Sequence, residues 1–221
     1  MIRINSLKKI FRQGAKDITV LSGLDLNVKR GECVIIRGPS GCGKTTLLNI
    51  IGCLTRPTDG EVFIADKRIS HLPEHFRCQL RRSKIGFVFQ QFNLIAGYTA
   101  VDNVGIPLAP LGIGESDRRR RALFLLDFLG LADRADFPVN ELSGGEQQRV
   151  AMARALINAP DIIIADEPIS NIDAQTSEKV IDILTRLNRE GKTLLISTHD
   201  RLLIERLPVT SSHEFNAGRL V

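Results

Sequence analysis

CVIIRGPSGCGKTT, running from Cys33 to Thr46, decides the fold of this 221-residue chain. Its first four residues are apolar and read as a short strand buried on both faces, as in a parallel sheet covered by helices. Gly38 to Thr45 then fits G-x-x-x-x-G-K-[ST], followed by a helix over residues 46–51. A strand, a glycine-rich loop and a helix N-terminus together aim backbone N–H groups at an anion. Gly38, Gly41 and Gly43 let the backbone close on phosphate oxygens, with Pro39, Ser40 and Cys42 between them. Lys44 supplies a charge for the β- and γ-phosphates, Thr45 a hydroxyl for Mg²⁺, and Thr46 continues the helix start.

The flanking segments extend this unit into an α/β layout. Residues 2–10, 18–28 and 61–65 alternate in hydropathy and predict a partly antiparallel edge sheet. Residues 85–89, 162–165 (IIIA) and 194–197 (LLIS) read as further strands, and residues 176–189 as an amphipathic helix. Asp166 and Glu167 emerge at the end of the IIIA strand, where α/β sheets place ligands. Asp166 suits a water-mediated Mg²⁺ contact, and Glu167 suits a base that orients an attacking water. From about residue 92 to 155 the texture turns to helix and loop, with breaks at Pro107, Pro110 and Pro138. The expected fold class is α/β: a P-loop core with a mostly parallel sheet, an N-terminal antiparallel β subdomain and an inserted helical subdomain. All 221 residues form a single nucleotide-binding domain on this reading.

LSGGEQQRV, residues 142–150, is a second anion-binding pattern. Ser143 offers a hydroxyl, Gly144 and Gly145 clear the backbone, and a helix over residues 146–157 puts its positive dipole end behind them. One phosphate loop does not need this second site within the same chain.

Bulk properties narrow the partners. A net charge of +5 with 43% hydrophobic residues describes an ordinary globular surface, and no nucleic-acid partner is expected. Arg118 to Arg121 reads as the solvated first turn of a helix over residues 122–129. Cys33, Cys42, Cys53 and Cys78 lack metal-like spacing, and residues 1–10 lack a secretory signal, so a reducing cytosolic setting is expected. No apolar run approaches the ~18 residues of a membrane span, which leaves any membrane role to a partner. The chain stops soon after Asn216-Ala217-Gly218, and no appended regulatory domain is expected.

With these motifs in this order, the chain resembles an ATP-binding cassette (ABC) transporter ATPase subunit over nearly its full length. Gln90 stands where the family has its Q-loop glutamine, Ser170 to Asp173 where it has the D-loop, and His199 where it has the switch histidine. The resemblance implies that Gln90 senses Mg²⁺ and the lytic water, that His199 bonds the γ-phosphate and positions Glu167, and that Asp173 lies at a dimer seam. Asp173 also suits a helix N-cap. Phe11 stands where an adenine-stacking aromatic is usual, with Phe in place of the common Tyr; a core Phe at a strand end is the alternative. Cys42, Thr46, Ile169 and Ser170 depart from common family residues, and the Cys42 thiol beside Lys44 is a candidate for oxidation or alkylation.

The resemblance further implies a head-to-tail homodimer in the ATP-bound state, with Ser143, Gly144, Gly145 and Glu146 completing the partner's ATP site. It implies ATP and Mg²⁺ as ligands, a transmembrane permease subunit, an extracytoplasmic adaptor, and a peripheral position on the cytoplasmic face of the plasma membrane. Arg56 to Val62, Phe87 to Val104 and Ala165 to Asp173 are most similar to the macrolide-exporter and lipoprotein-releasing branch, with Asp102 where that branch usually has Glu. Export or extrusion is the first functional expectation. The second is a regulatory ATPase that signals through a membrane partner to cell-wall or division machinery.

Overall fold

The computed structural model describes residues 1–220. The chain runs β1 (Ile2–Gln13), β2 (Lys16–Val28), β3 (Cys33–Arg37), α1 (Lys44–Ile51), β4 (Asp59–Ile64), β5 (Lys67–Arg68) and α2 (Glu74–Lys84). It continues β6 (Ile85–Val88), α3 (Ala100–Gly105), α4 (Glu115–Phe128), α5 (Gly144–Leu156), β7 (Ile162–Asp166) and α6 (Ala174–Arg189). It ends β8 (Thr193–Ser197), α7 (Arg201–Arg206), β9 (Ser211–Asn216) and β10 (Arg219–Leu220).

An antiparallel sheet in the order β2-β1-β4-β5 lies beside a second sheet ordered β10-β9-β3-β8-β7-β6. In the second sheet β9, β3, β8, β7 and β6 are parallel, and only β10 is antiparallel. Period-two alternation divides the core. Cys33, Ile35, Ile163, Ala165, Leu194 and Ile196 pack with α3 to α6 on one face. Val34, Ile36, Ile162, Ile164 and Leu195 pack on the other with α1 and the antiparallel sheet. Both faces are covered, so β7 and β8 are buried along their whole length. Each fully buried Ile or Leu contributes about 1.5–3 kcal/mol.

Several elements differ from the sequence expectation at their ends. The phosphate-loop helix begins at Lys44 instead of residue 46, and α5 begins at Gly144 instead of residue 146. Arg118 to Arg121 is not the first turn of its helix. That turn holds Glu115 and Asp117, whose charges complement the positive helix end, and the arginines follow it. Pro107 and Pro110 fall within a 3₁₀ turn, Ile106–Leu111; Pro107 is in its first turn, where N–H groups have no helical partner, and Pro110 lies inside it. Helix α2 was unpredicted: it is mostly polar and is pinned by Arg77 and Arg81, which both donate to the Cys53 carbonyl at 2.6 Å. All four cysteines are free thiols, and burial pushes Cys33 up to about 12 and Cys53 up to about 11.

Candidate active site

Strands β3, β8, β7 and β6 are neighbours and run in one direction, so the residues after each C-terminus meet at one rim. The register places Ile36 and Asp166 on either side of Ser197, and Val88 beside Ala165. The phosphate loop follows β3, Asp166 ends β7, His199 follows β8 and Gln90 follows β6. This is the edge where parallel α/β sheets bind ligands.

Gly38, Pro39, Ser40, Gly41 and Gly43 form one wall of a cleft of about 590 Å³, continued by Lys44, Thr45 and Thr46. Gln90, Asp166, Glu167, His199 and Val20 of β2 line the same cleft. Gly38 has φ +148°, and a Cβ there would stand 2.2 Å from the Phe215 carbonyl oxygen. Only glycine can hold the loop this close to β9. Lys44 Nζ donates to the carbonyls of Gly38 (2.7 Å) and Pro39 (3.0 Å), which keeps its ammonium over the loop.

The acidic side is held more tightly. Asp166 and Glu167 are 5% and 9% exposed. Ser197 Oγ donates to Asp166 Oδ1. The Glu167 backbone N–H donates to the Ser197 carbonyl at 3.0 Å and reaches its hydroxyl at 3.2 Å. Glu167 sits at φ +48°, a left-handed conformation that a non-glycine residue adopts only when its surroundings impose it. His199 Nδ1 is 2.9 Å from Glu167 Oε1. A carboxylate can only accept, so this contact puts the proton on Nδ1.

The second anion pattern does not line this cleft. Ser143 caps α5: its hydroxyl accepts from the Glu146 N–H, and the Glu146 carboxylate accepts from the Ser143 N–H at 2.8 Å, a capping box. The Ser143 N–H, together with its hydroxyl and the Arg134 guanidinium 3.0 Å away, holds the Glu146 carboxyl below the usual range. Gly144 and Gly145 seat the helix start on the segment before and within α6, where a Cβ on Gly145 would come 2.6 Å from Thr176 Cγ2. Asp173 caps α6 by accepting from the Thr176 hydroxyl (2.7 Å) and N–H (2.9 Å), which in that order lower its pKa.

Two expected ligand contacts also lie off the cleft. Phe11 is 42% exposed on β1, with Lys9 Nζ 4.7 Å from its ring centroid. Cys42 is half-buried and packs toward the core beneath the loop. Its part in any phosphate contact is therefore its backbone.

Sequence reasoning missed Ser197, although a polar residue closing the apolar LLIS strand next to His199 is a readable signal. It placed Asn171 in the D-loop stretch without its contact, in which Nδ2 donates to the Gln90 carbonyl at 3.1 Å, and it missed Arg154, which donates to the Phe92 carbonyl at 2.6 Å. Those contacts join residues far apart in sequence, and no local pattern announces them.

A family model described as "ABC transporter" matches residues 21–170. An ABC transporter ATP-binding protein of Methanocaldococcus jannaschii is 49% identical over 205 residues, covering 90% of this chain and 87% of the relative. The lipoprotein-releasing system ATP-binding protein LolD 1 of Caulobacter vibrioides is 47% identical over 202 residues, covering 90% and 86%. A solved ATP-binding cassette, dimeric in a post-hydrolysis state bound to ADP and Pi, superposes with a TM-score of 0.93 at 43% identity, covering 100% of this chain and 96% of that one.

Proposed function

Because this chain belongs to the ABC transporter family, as an ATP-binding and ATP-hydrolysing subunit, we propose that two copies close head to tail around two ATP molecules and drive a separate membrane subunit. The observation that carries this reading is the separation of the two anion-binding patterns. The phosphate loop, Asp166, Glu167 and His199 share one cleft, and the Ser143 helix start lies outside it. A second copy supplies the missing donors. The dimeric state of the similar cassette supports this arrangement.

Within each site the loop N–H groups and Lys44 bind the phosphates. The oxygen donors of Thr45, Asp166 and Gln90 share the cleft and suit a hard divalent cation. Thr45 and Asp166 would hold Mg²⁺, with Gln90 beside it; when bound, the cation neutralises charge on the transferred phosphoryl group. Glu167 orients the attacking water and takes its proton. His199, with Nδ1–H on Glu167, lines the cleft and fixes the carboxylate. Phe11, which does not line the phosphate cleft, presents its exposed ring to an adenine held outside that cleft, and Asp173 sits at the dimer seam. The chemistry is phosphoryl transfer to water by positioning and charge stabilisation.

The membrane partner is a permease subunit, met on the cytoplasmic face, and an extracytoplasmic adaptor completes the assembly. No helix among the described residues is long and apolar enough to cross a membrane. Likeness to LolD and to a macrolide export ATP-binding/permease protein of Aeromonas hydrophila (42% identical over 93% of this chain and 32% of that longer protein) supports extrusion or lipoprotein release. Ser143→Arg tests the reading. ATP binding stays intact and hydrolysis is lost; loss of ATP binding would mean that Ser143 serves its own subunit.

A further inference from the structure

Gln148 is 1% exposed, on α5 one turn beyond Gly145. Its Nε2 donates to the Pro168 carbonyl at 2.5 Å, and its Oε1 has no hydrogen-bond partner among the described residues. The orientation is unambiguous, because only the amino end of the amide can face a carbonyl. A buried amide oxygen left without a donor costs stability, and an apolar side chain of similar length would fill the space without it. The residue is therefore poorly explained as filler.

Its acceptor belongs to the residue directly after Glu167. Glu167 is held at φ +48°, so the direction of its carboxylate depends on how that turn is anchored. Its N–H is bonded to Ser197, and its carbonyl accepts from the Ser170 N–H (3.2 Å) and hydroxyl (3.0 Å). The Pro168 carbonyl is the point at which α5 grips the same turn. The start of α5 is also seated on the loop just before Asp173, where a Cβ on Gly144 would stand 3.2 Å from the Asn171 carbonyl.

We propose that Gln148 is a positioning residue that links the two ATP sites of the closed pair. This rests on the two-copy reading above, in which Ser143 completes the partner's site and Glu167 serves the site of its own chain. Both residues are then carried by one chain but act on different ATP molecules. Gln148 is the buried polar connection between them. A shift of α5 when its N-terminus meets the partner's γ-phosphate reaches Pro168, and through it the aim of Glu167.

The test uses the full chain with Gln148→Met, which keeps length and volume and removes the donor. ATP turnover is followed against ATP concentration, alongside thermal unfolding and, in a Glu167→Gln background, dimer formation with Mg-ATP. The expected result is a kcat lowered about tenfold, loss of cooperativity in ATP, and unchanged KM, dimer formation and Tm. A kcat within about twofold of the unsubstituted chain, or a fall in kcat matched by a fall in Tm with cooperativity retained, overturns the proposal. Absence of the Glu167→Gln dimer overturns the two-copy reading and this proposal together. Gln148→Glu gives an independent reading. Its protonated carboxyl donates to Pro168 as the amide does, and its ionised form repels the carbonyl. Its kcat relative to the unsubstituted chain should fall as pH rises; a ratio flat with pH overturns the role.

Discussion

His199 Nδ1 lies 2.9 Å from Glu167 Oε1, joining an imidazole that is 74% exposed to a carboxylate that is 10% exposed. The exposed ring is free to meet a ligand in the cleft, and the buried carboxylate is held by its backbone. The pair therefore has one fixed member and one that responds to what enters. His199→Ala removes the contact without opening a cavity. ATP hydrolysis should fall about 100-fold with ATP affinity nearly unchanged, which phosphate release and equilibrium nucleotide binding separate. Equal losses in both would place His199 in binding alone.

Glu167→Gln keeps the shape of the turn and removes the proposed base. Hydrolysis should drop on the order of 10³-fold, and the chain should persist as an ATP-bound dimer. Size-exclusion chromatography in Mg-ATP reads this directly, and a monomer throughout would count against the closed pair.

Ser197 bonds the Asp166 carboxylate and the Glu167 N–H together. Ser197→Ala frees Asp166 to rotate away from the cleft. The Mg²⁺ concentration needed for half-maximal hydrolysis should rise about tenfold. A magnesium titration at saturating ATP measures it, and an unchanged midpoint would separate Ser197 from the cation.

A Cβ at Gly145 would meet Thr176 Cγ2 at 2.6 Å and Oγ1 at 2.7 Å, and that hydroxyl is already bonded to Asp173. Gly145→Ala should therefore push α5 off α6 and destabilise the chain by about 1–3 kcal/mol. Urea denaturation gives the stability, and hydrolysis should fall beyond what the unfolded fraction explains.

Lys84 Nζ sits 2.7 Å from Asp161 Oδ2 where β6 and β7 begin, and its ammonium holds the Asp161 carboxyl below the usual range. A depressed carboxyl stabilises the fold above its unfolded pKa of about 3.9, and the contribution fades as pH falls through the folded value. Asp161→Asn should cost about 0.5–1 kcal/mol at neutral pH, because the pair is partly solvated. The difference from the unsubstituted chain should vanish in acid. Paired urea titrations across pH check the sign, and a penalty that grows on acidification would contradict it.

Most of the scaffold was legible because it depends on local chemistry. The IIIA and LLIS runs needed only hydropathy to read as buried strands, and G-x-x-x-x-G-K-T needed only glycine and charge. Helix ends were less legible. Arg118 to Arg121 read as a first turn because the apolar positions begin after it, although Glu115 and Asp117 start the helix. Helix α2 escaped because its buried contacts run through Arg77 and Arg81, and charged residues carry no hydropathy signal.

Sequence by itself determined which groups the proposed ATP site would use: Lys44, Thr45, Asp166, Glu167, His199 and a separate Ser143 helix start. The types and spacings of Lys44, Thr45, Asp166 and Glu167 follow from the chemistry of phosphate, which is written locally; His199 and the use of the Ser143 helix start by a second copy came from the family resemblance. Only the tertiary structure decided how they are held. The Glu167 turn is anchored by Ser197 from β8, by Ser170 from its own loop and by Gln148 from α5. Those bonds cross between elements distant in the chain, and they exist because packing two faces of one sheet leaves buried polar groups that must find partners in space.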